Sequence, residues 1–248
     1  MRQVRVQWLY MALSVSQTDA LASIIKPGMR ICSFGYPDII APPEMIQTLM
    51  GEKYTLLEAR ADSAVICQRH GLNPRPIPDA HSLFDLLGCT LDVYDIVQER
   101  GCEILGDLNN IGWDDTHPIY DIALDVGTAE HCFNIAQAMF NMAVGVKLGG
   151  HIIHENPFNW GNHGFYNLNP TFFHDFYTAN GFELEHCGLV SKDGTGFNVP
   201  LTKRFQYTAT EINIFAMARR MAVQPFIYPQ QSKYNPAARV RAKESENV

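Results

Sequence analysis

The chain has 248 residues, 46% hydrophobic and 18% charged, which excludes a disordered protein and is typical of one large globular domain. Its 19 basic and 26 acidic residues give a net charge of −7. That balance argues against a nucleic-acid partner, because neutralising phosphates requires a basic surface. No uninterrupted apolar run is long enough to span a bilayer, so we expect no membrane segment.

The N-terminus and the cysteines bear on the cellular compartment. The first residues are basic and then apolar, but Gln7 interrupts the apolar stretch and no small-residue cleavage site follows, so we expect no signal peptide. The six cysteines are scattered and form no C-x-x-C pair. This usage is typical of reduced thiols, which predicts a cytoplasmic protein.

The first third of the chain predicts two helices around one strand. A helix begins near Ser16 or Thr18, either of which would cap it, and ends at Pro27. The strand MRICSF follows, and PPEMIQTLMG predicts a short helix that ends before Gly51. The fragments KYTLLEA and SAVICQ fit either a strand or a helix, and three prolines make HGLNPRPIPDA a loop.

From Leu83 onward, predicted helices and strands alternate. The helices are LFDLLGC, NIAQAMFNMAVGVKLGG and NPTFFHDFYTANGF, and the strands are TLDVYDIV, CEILGDL, YDIALDV and HIIHENP. This alternation predicts an α/β fold with a mostly parallel sheet and helices on both faces. The C-terminal segments FELEHCGLV, FQYTATEINIFAMARRM and PFIYPQQ look strand-rich and predict antiparallel edge strands.

The middle helix of this series has a predicted cap and a predicted core face. Asn134, with Gln137 three residues later, forms a start resembling a capping box, and Gly149-Gly150 would end the helix. The apolar face would contain Phe133, Ala136, Phe140, Ala143 and Val144.

Polar residues follow the predicted strands at the points where the strands end. In an open parallel sheet, ligands bind at these carboxyl ends. Asp95, at the end of the second long strand, can accept hydrogen bonds from both hydroxyls of a ribose. Gly35, after the first strand, lets the backbone approach a ligand, and the N-terminus of the next helix offers N–H groups to a carboxylate.

Several of these segments resemble a known family. YDIALDVGTAEHCFNIAQAMFNMAVGVKLGGHIIHENP resembles the fourth strand, following helix and fifth strand of the class I S-adenosylmethionine-dependent methyltransferases. TLDVYDI and CEILGDLNN resemble the second and third strands of that family, and NHGFYNLNPTFFHDFYTANGFELEH resembles the next segment in several of its small-molecule and carbohydrate-directed members. The resemblance covers roughly residues 83–186.

The resemblance implies a Rossmann-like class I methyltransferase fold, S-adenosylmethionine as cofactor, and a small-molecule or sugar acceptor. Asp95 would bind the ribose hydroxyls, and Asp107 and Leu108 would face the adenine. The implied cofactor-binding residues are Gly35, Tyr36, Asp95, Asp107, Leu108 and Gly127.

The chain departs from the family in its first loop and in the spacing that follows. Family members carry an acid and alternating glycines there, whereas this loop keeps only Gly35. The separation between this loop and Asp95 predicts an insertion near residues 51–82, a lid or a contact lobe. We therefore expect one domain over residues 1–235 and a flexible polar tail over residues 236–248.

Methyl transfer to a hydroxyl or an amine benefits from a general base, and histidine suits that role near neutral pH. His163 is the first candidate because it lies in a polar, aromatic loop after the fifth strand, although it could instead serve to stabilise that loop. His131 and Tyr166 are further catalytic candidates. Asn156, Trp160 and Asn162 are the candidate substrate-binding residues.

No metal site is expected. His151 and His154 point to opposite faces of one strand and cannot share an ion. His163 could meet Glu155 or Asp125 in three dimensions, but no spacing in the sequence sets such a pair. His154 is expected to be a hydrogen-bonded core histidine.

Two alternatives to a methyltransferase stay open at this point. The glycine-poor first loop also fits a relative that keeps the fold but has lost or repurposed the cofactor site for another reaction. The residue 51–82 insertion also fits a scaffold or regulatory subunit that uses this lobe as its contact surface. A homo-oligomer is compatible with each interpretation.

Overall fold

The computed structural model describes residues 12–110, 112, 119–207, 209 and 211–234. The N-terminal segment 1–11 and the tail 236–248, for which predictions were made above, lie outside these residues. Within the described part of the chain, no helix combines the length and the apolar composition that crossing a membrane requires.

An eight-stranded sheet forms the centre of the fold. The strands are β1 (Ala12–Leu13), β2 (Arg30–Phe34), β3 (Asp38–Ile39), β4 (Thr90–Asp95), β5 (Ile104–Leu105), β6 (Tyr120–Asp125), β7 (Val146–Pro157), β8 (Phe182–Val190), β9 (Gly196–Asn198) and β10 (Asn213–Arg220). The large sheet has the order β5-β4-β2-β6-β7-β10-β8-β9, and β1 and β3 pair separately. The first five strands in this order, β5, β4, β2, β6 and β7, pair in parallel. Strand β10 is antiparallel to both β7 and β8, and β9 is antiparallel to β8. The predicted Rossmann-like α/β fold with antiparallel strands on one side is therefore confirmed.

Helices cover both faces of this sheet. They are α1 (Val15–Ile24), α2 (Pro43–Met50), α3 (Ser63–His70), α4 (Ala80–Leu86), α5 (Ile135–Gly145) and α6 (Pro170–Ala179). Neighbouring residues of a strand point to opposite faces. In β2, Ile31 packs with the core on the α1, α2 and α4 side, and Cys32 packs with the core on the α5 and α6 side. The two cores hold the carboxyl ends of β2, β4, β6 and β7 along one edge.

Helix α1 begins two residues earlier than predicted. Its cap is Ser14, whose hydroxyl accepts a hydrogen bond from the Gln17 N–H, while the Gln17 side chain accepts one from the Ser14 N–H. This reciprocal pair satisfies two backbone donors at the helix start. Ser16 and Thr18, the predicted caps, therefore lie inside the helix.

Helix α5 has the predicted cap but ends sooner, and of the predicted core face only Ala143 is buried. Asn134 accepts a hydrogen bond from the Gln137 N–H, but the helix ends at Gly145, and residues 146–150 join strand β7. Strand pairing prevails over helical periodicity here, because Gly150 packs so closely on β6 that an added Cβ would lie 2.6 Å from the Asp121 carbonyl oxygen. Phe133 precedes the helix and is 72% exposed, and the fully buried helix residues are Ala138, Met139, Asn141 and Met142.

Residues 51–82 form a small lobe with its own apolar contacts. A 3₁₀ helix (Gly51–Leu56) leads to α3, and Ile66, Cys67 and Ile77 form a cluster separate from the two main cores. A bridge between Ala59 and Pro78 closes the lobe. That this lobe is an insertion stays a prediction. At the C-terminus, β10 accounts for the expected strand, whereas residues 225–231 adopt no regular structure.

Candidate functional site

Two adjoining cavities lie at the carboxyl edge of the parallel strands. The first has a volume of about 270 Å³ and lies beyond the ends of β2, β4, β5 and β6. The second has a volume of about 140 Å³ and lies beyond the ends of β6 and β7. Gly127, two residues after β6, lines both cavities.

The first cavity brings together most of the residues that the resemblance assigns to the cofactor. Its lining residues are Gly35, Tyr94, Asp95, Ile96, Gly106, Asp107, Leu108, Asn109, Gly127, Thr128, His131 and Cys132. Five of the six predicted cofactor residues are in this set. Parallel pairing explains why these residues lie together, because β2, β4 and β5 end side by side.

The pKa values of the two acids in the first cavity, Asp95 and Asp107, are shifted in opposite directions. Burial raises the pKa of Asp95, although the backbone N–H groups of Val97 and Ile96 oppose that effect. Hydrogen bonds from the side chain and N–H of Asn109, and from the side chain of Asn110, lower the pKa of Asp107. Of the two, Asp95 is therefore the one in a partly desolvated environment.

Gly35 turns the chain at the end of β2. Its φ of +84° is a conformation that other residues rarely adopt. The Gly35 N–H donates to the Tyr94 carbonyl at 2.7 Å, and the Ser33 hydroxyl donates to the Gly35 carbonyl at 2.7 Å. The backbone therefore turns beside the cavity with the Gly35 N–H and carbonyl already hydrogen-bonded.

Tyr36, the sixth predicted cofactor residue, lines neither cavity. Its ring is buried between the guanidinium groups of Arg60 and Arg100, whose Cζ atoms lie 4.9 and 4.3 Å from the ring centroid. Its hydroxyl donates to Asp79 Oδ2 at 2.6 Å. Burial and this hydrogen bond raise the pKa of Tyr36. The side chain thus anchors the first loop to the residue 51–82 lobe.

The helix that follows the first loop differs from the expected carboxylate-binding helix start. Helix α2 begins at Pro43 after Pro42, and neither residue has an N–H group. The N–H groups of Met45 and Ile46 donate to the Pro42 carbonyl at 3.0 and 3.3 Å, and Glu44 adds negative charge to the first turn. This helix start is therefore unsuited to an anionic ligand.

The loop after β6 is held by a fully buried carboxylate, Asp125. Its Oδ1 accepts hydrogen bonds from the N–H groups of Thr128 and Ala129 at 2.9 and 3.2 Å. Its Oδ2 lies 2.8 Å from both His154 Nδ1 and Asn156 Nδ2. Burial opposes ionisation of Asp125, but these partners outweigh it and lower its pKa. Asp125 thus holds the loop that carries Gly127 in place through these hydrogen bonds.

His154 belongs to the same buried network. It is fully buried, and its two ring nitrogens face Asp125 and the Tyr177 hydroxyl. The ring lies 5.0 Å from that of Phe173, measured between centroids. The structure therefore places His154 as the expected hydrogen-bonded core histidine.

Asn156 connects this network to a second buried carboxylate, Glu130. The Asn156 amide group donates to Asp125 Oδ2 at 2.8 Å and to Glu130 Oε2 at 2.9 Å. Two carboxylate acceptors fix the orientation of the amide, because only its NH₂ can donate to both. Asn156 Oδ1 is buried, belongs to a residue lining the second cavity, and has no hydrogen-bond partner in the described part of the chain.

The two histidine candidates meet beside Glu130. Their ring centroids are 5.0 Å apart, and Glu130 Oε1 lies 3.5 Å from His163 Nε2 and 3.9 Å from His131 Nε2. His131 lines the first cavity and His163 the second. Sequence reasoning proposed both histidines but not the carboxylate between them.

The remaining candidates fall into two groups. Trp160 lines the second cavity, and its indole N–H donates to Asn213 Oδ1 at 2.7 Å. Tyr166 and Asn162 line neither cavity. The Tyr166 hydroxyl donates to the Phe133 carbonyl at 2.8 Å, and Asn162 is exposed with a φ of +57°. The structure therefore does not bring these last two side chains to the site.

Further polar residues line the second cavity that the sequence did not single out for binding: Ser14, His70, Glu130, Lys192 and Asn213. Glu155 also lines it and accepts hydrogen bonds from the Ser14 hydroxyl and from Asn213 Nδ2. Burial raises the pKa of Glu155 in spite of these donors. Glu155 and Glu130 carried a usable sequence signal, as polar residues at the ends of strands, whereas Ser14, His70, Lys192 and Asn213 come from elements distant in the chain.

A larger concavity, of about 760 Å³, lies beside α5 and α6 and shares no lining residue with the two cavities above. Its walls are rich in aromatic side chains, among them Phe158, Phe172, Phe205 and Phe226. Size alone therefore does not locate the chemistry, which follows the titratable groups at the strand ends.

No protein-family model and no curated protein matches this chain. Among solved structures it is similar to the N-methyltransferase NodS from Bradyrhizobium japonicum, with 13% identity, a TM-score of 0.44, and coverage of 83% of this chain and 93% of that chain. It is also similar to the 1,6-didemethyltoxoflavin-N1-methyltransferase of Burkholderia thailandensis, with 12% identity, a TM-score of 0.41, and coverage of 83% and 78%.

A third similar structure is the complex between the Haloferax volcanii Trm112 methyltransferase activator and its methyltransferase, with 10% identity, a TM-score of 0.47, and coverage of 84% and 89%. Each of the three is, or contains, a protein named as a methyltransferase. At these identities and TM-scores they bear on neither the acceptor nor the site residues. The fold class rests on the sheet order and strand directions given above.

Proposed function

We propose that this protein is an S-adenosylmethionine-dependent methyltransferase that acts on a small-molecule or carbohydrate acceptor. One observation carries the proposal: two cavities of different chemistry meet at Gly127, on the carboxyl edge of a mostly parallel sheet. Together their volumes fall within the roughly 300–1,000 Å³ typical of small-molecule sites. The first cavity is the proposed cofactor site and the second the proposed acceptor site.

The residues of the first cavity fit the adenosyl part of the cofactor. The Asp95 carboxylate is suited to accept both ribose hydroxyls. Ile96 and Leu108 supply apolar surface for the adenine, with Asp107 beside them as a hydrogen-bond acceptor. Gly35 lets the backbone approach without a side chain. When bound, S-adenosylmethionine supplies an electrophilic methyl group.

The residues of the second cavity fit an acceptor that donates hydrogen bonds. Asn156 Oδ1 is a buried acceptor atom without a partner in the described part of the chain, so a ligand hydroxyl or amine would satisfy it. Glu130 and Glu155 add negative charge, and Lys192 is the one Lys or Arg among the described lining residues. This balance favours a neutral, hydroxylated or an amino acceptor over a nucleic acid.

The role proposed for His163 is to take the proton that the acceptor loses. Its Nε2 faces Glu130 Oε1, and a carboxylate next to an imidazole stabilises the imidazolium that forms. The ring also lies 5.8 Å from that of Trp160, measured between centroids, which restricts its orientation. His131, across the carboxylate, is the second candidate.

Calorimetric titration of the full chain with S-adenosylhomocysteine tests the cofactor site, and an assay with labelled S-adenosylmethionine and a panel of phenols, amines and sugars then tests transfer. We expect binding that is lost or much weakened in Asp95→Asn. The matched control is Asp85→Asn, an exposed aspartate on α4 outside both cavities. Absence of binding to the wild-type chain would overturn the proposal.

A protein with this fold and a repurposed cofactor site is the second candidate. It is favoured by the first loop, where Tyr36 is turned inward, and by the start of α2, which disfavours a carboxylate. The same titration separates the two functions. A folded protein that binds other ligands in the second cavity but not S-adenosylhomocysteine supports the repurposed site.

A further inference from the structure

Three potential metal ligands converge where the two cavities meet. The ligand atoms of Glu130, His131 and His163 all lie within 4.8 Å of one another. Glu130 Oε1 is the shared neighbour, at 3.5 Å from His163 Nε2 and 3.9 Å from His131 Nε2. Glu130 is 1% exposed, His163 17% and His131 46%, so a buried carboxylate faces two imidazoles that can still adjust.

These distances do not describe a well-formed hydrogen-bonded triad. N–H···O bonds have donor–acceptor distances of about 2.7–3.2 Å, and both separations exceed that range. Ligands around one zinc ion lie about 2.0–2.2 Å from the metal, which leaves neighbouring donor atoms roughly 3.3–3.6 Å apart. The 3.5 Å separation of Glu130 Oε1 from His163 Nε2 already lies in that range, and the 3.9 Å separation from His131 Nε2 exceeds it by about 0.3 Å.

The surroundings of Glu130 resemble the support that a metal-binding carboxylate needs. Its Oε2 accepts the hydrogen bond from Asn156, which in turn is fixed by Asp125, so Oε1 is presented towards the imidazoles. Gly164 packs on Glu130 so closely that an added Cβ would lie 2.9 Å from the Glu130 carbonyl oxygen. That close packing is what holds His163 beside the carboxylate.

We propose that Glu130, His131 and His163 form a binding site for a divalent transition-metal ion, of the kind that zinc occupies. Two imidazoles and one carboxylate are ligands of catalytic zinc sites, which keep a fourth position open for water or substrate. Here the open side faces the junction of the cavities, because His131 lines the first and His163 and Glu130 line the second.

The site has a consequence for the reaction, and that consequence rests on the proposed function. An acceptor hydroxyl that occupied the open position would lose its proton to solvent water more readily, because a bound divalent cation lowers the pKa of a coordinated oxygen. The metal would then promote loss of the proton from the acceptor hydroxyl, and His163 would act as a metal ligand rather than as the base.

Calorimetric titration of the chelator-treated full chain with Zn²⁺ tests the site directly. We expect one tight site in the wild type and at least a tenfold weaker affinity in Glu130→Gln and His163→Asn. His186→Asn, an exposed histidine on β8, is the matched control and should bind like the wild type. Mg²⁺, which prefers oxygen ligands, should not compete. Co²⁺ should give visible absorption bands that Glu130→Gln removes.

A second pair of variants keeps the test valid if the ligand variants fold poorly. Gly164→Ala should displace His163 and weaken Zn²⁺ binding, whereas Gly161→Ala, with open space around its Cβ position, should not. Equal Zn²⁺ affinity in the wild type and Glu130→Gln, or no binding to the wild type, overturns the site. S-adenosylhomocysteine binding by the metal-free chain is measured in parallel, so failure of the metal site and failure of the proposed function are distinguishable.

Discussion

The loop after β2 and the loop after β6 begin alike and then diverge. Each follows a buried parallel strand and turns on a glycine with positive φ, +84° at Gly35 and +92° at Gly127. After β2, the next polar side chains line neither cavity: Tyr36 contacts Asp79, and Asp38 contacts Arg100 and His70. After β6, Asp125 and Glu130 face inward and organise the junction of the cavities.

The difference shows what the glycine does and does not specify. In both loops it permits the turn and the close approach of the backbone to a ligand. The direction of the polar side chains is decided by what packs against each loop. The residue 51–82 lobe offers Asp79 and Arg60 to the first loop, whereas β7 offers Asn156 and His154 to the second. The first loop is thus tied to the lobe and the second to the sheet.

The largest effect should come from the buried carboxylate of the second loop. Asp125→Asn should lower the free energy of unfolding by about 3–5 kcal/mol, because it leaves His154 and Asn156 without their charged partner. Urea denaturation followed by circular dichroism measures this. Since the pKa of Asp125 is held below its ordinary 3.8, the stabilisation should be complete above that pH and be lost as the pH falls through the lowered pKa.

The control for this variant is Asp19→Asn, an exposed aspartate on α1, which should leave unfolding almost unchanged. If both variants have the same small effect, the second loop is not held by Asp125, and the contrast between the loops fails.

Asp95→Asn should have the next largest effect. We expect roughly a 10- to 100-fold weaker affinity for S-adenosylhomocysteine, since hydrogen bonds to a charged group contribute about 1.5–3 kcal/mol. Because burial raises the pKa of Asp95, wild-type affinity should begin to fall above pH 3.8 as the carboxylate becomes protonated on acidification. The variant should lack this pH dependence. A wild-type profile that stays flat down to pH 4 would contradict the assignment.

Tyr36→Phe tests whether the first loop is structural. Loss of the hydrogen bond to Asp79 should lower the free energy of unfolding by about 1.5 kcal/mol, while S-adenosylhomocysteine affinity should change less than twofold. Tyr54→Phe is the control, because the described residues give its hydroxyl no hydrogen bond. A large loss of affinity in Tyr36→Phe would return this residue to the cofactor site.

The smallest stability effect is expected for the two glycines. Gly35→Ala and Gly127→Ala should each cost about 1 kcal/mol, because alanine is strained at positive φ. Only Gly127→Ala should also weaken Zn²⁺ binding, since its Cβ would lie 3.4 Å from Glu130 Oε1. Gly196→Ala, with open space and ordinary φ, is the control for stability. Equal Zn²⁺ affinity in both glycine variants would remove this distinction between the loops.

Much of the first cavity could be predicted from the sequence. Asp95, Asp107, Leu108 and Gly127 are strand-end residues, and strand ends are visible in the pattern because buried parallel strands read as apolar runs. The second cavity was predicted only in part. Asn156 and Trp160 were found, but Glu130 was not singled out as a site residue, because nothing in the chain order indicates that its carboxylate is buried.

Local chemistry along the chain was enough to predict the alternating strands and helices, the parallel sheet and the acids at its carboxyl edge, because hydrophobic periodicity and turn residues act over a few neighbours. Packing decided the rest. Residues 146–150 belong to strand β7 and not to the predicted helix, because Gly150 packs against β6. Tyr36 turns to the lobe because Asp79 and Arg60 are there. His131 and His163, 32 positions apart in the chain, meet at Glu130 because the loops after β6 and β7 fold over the same edge of the sheet.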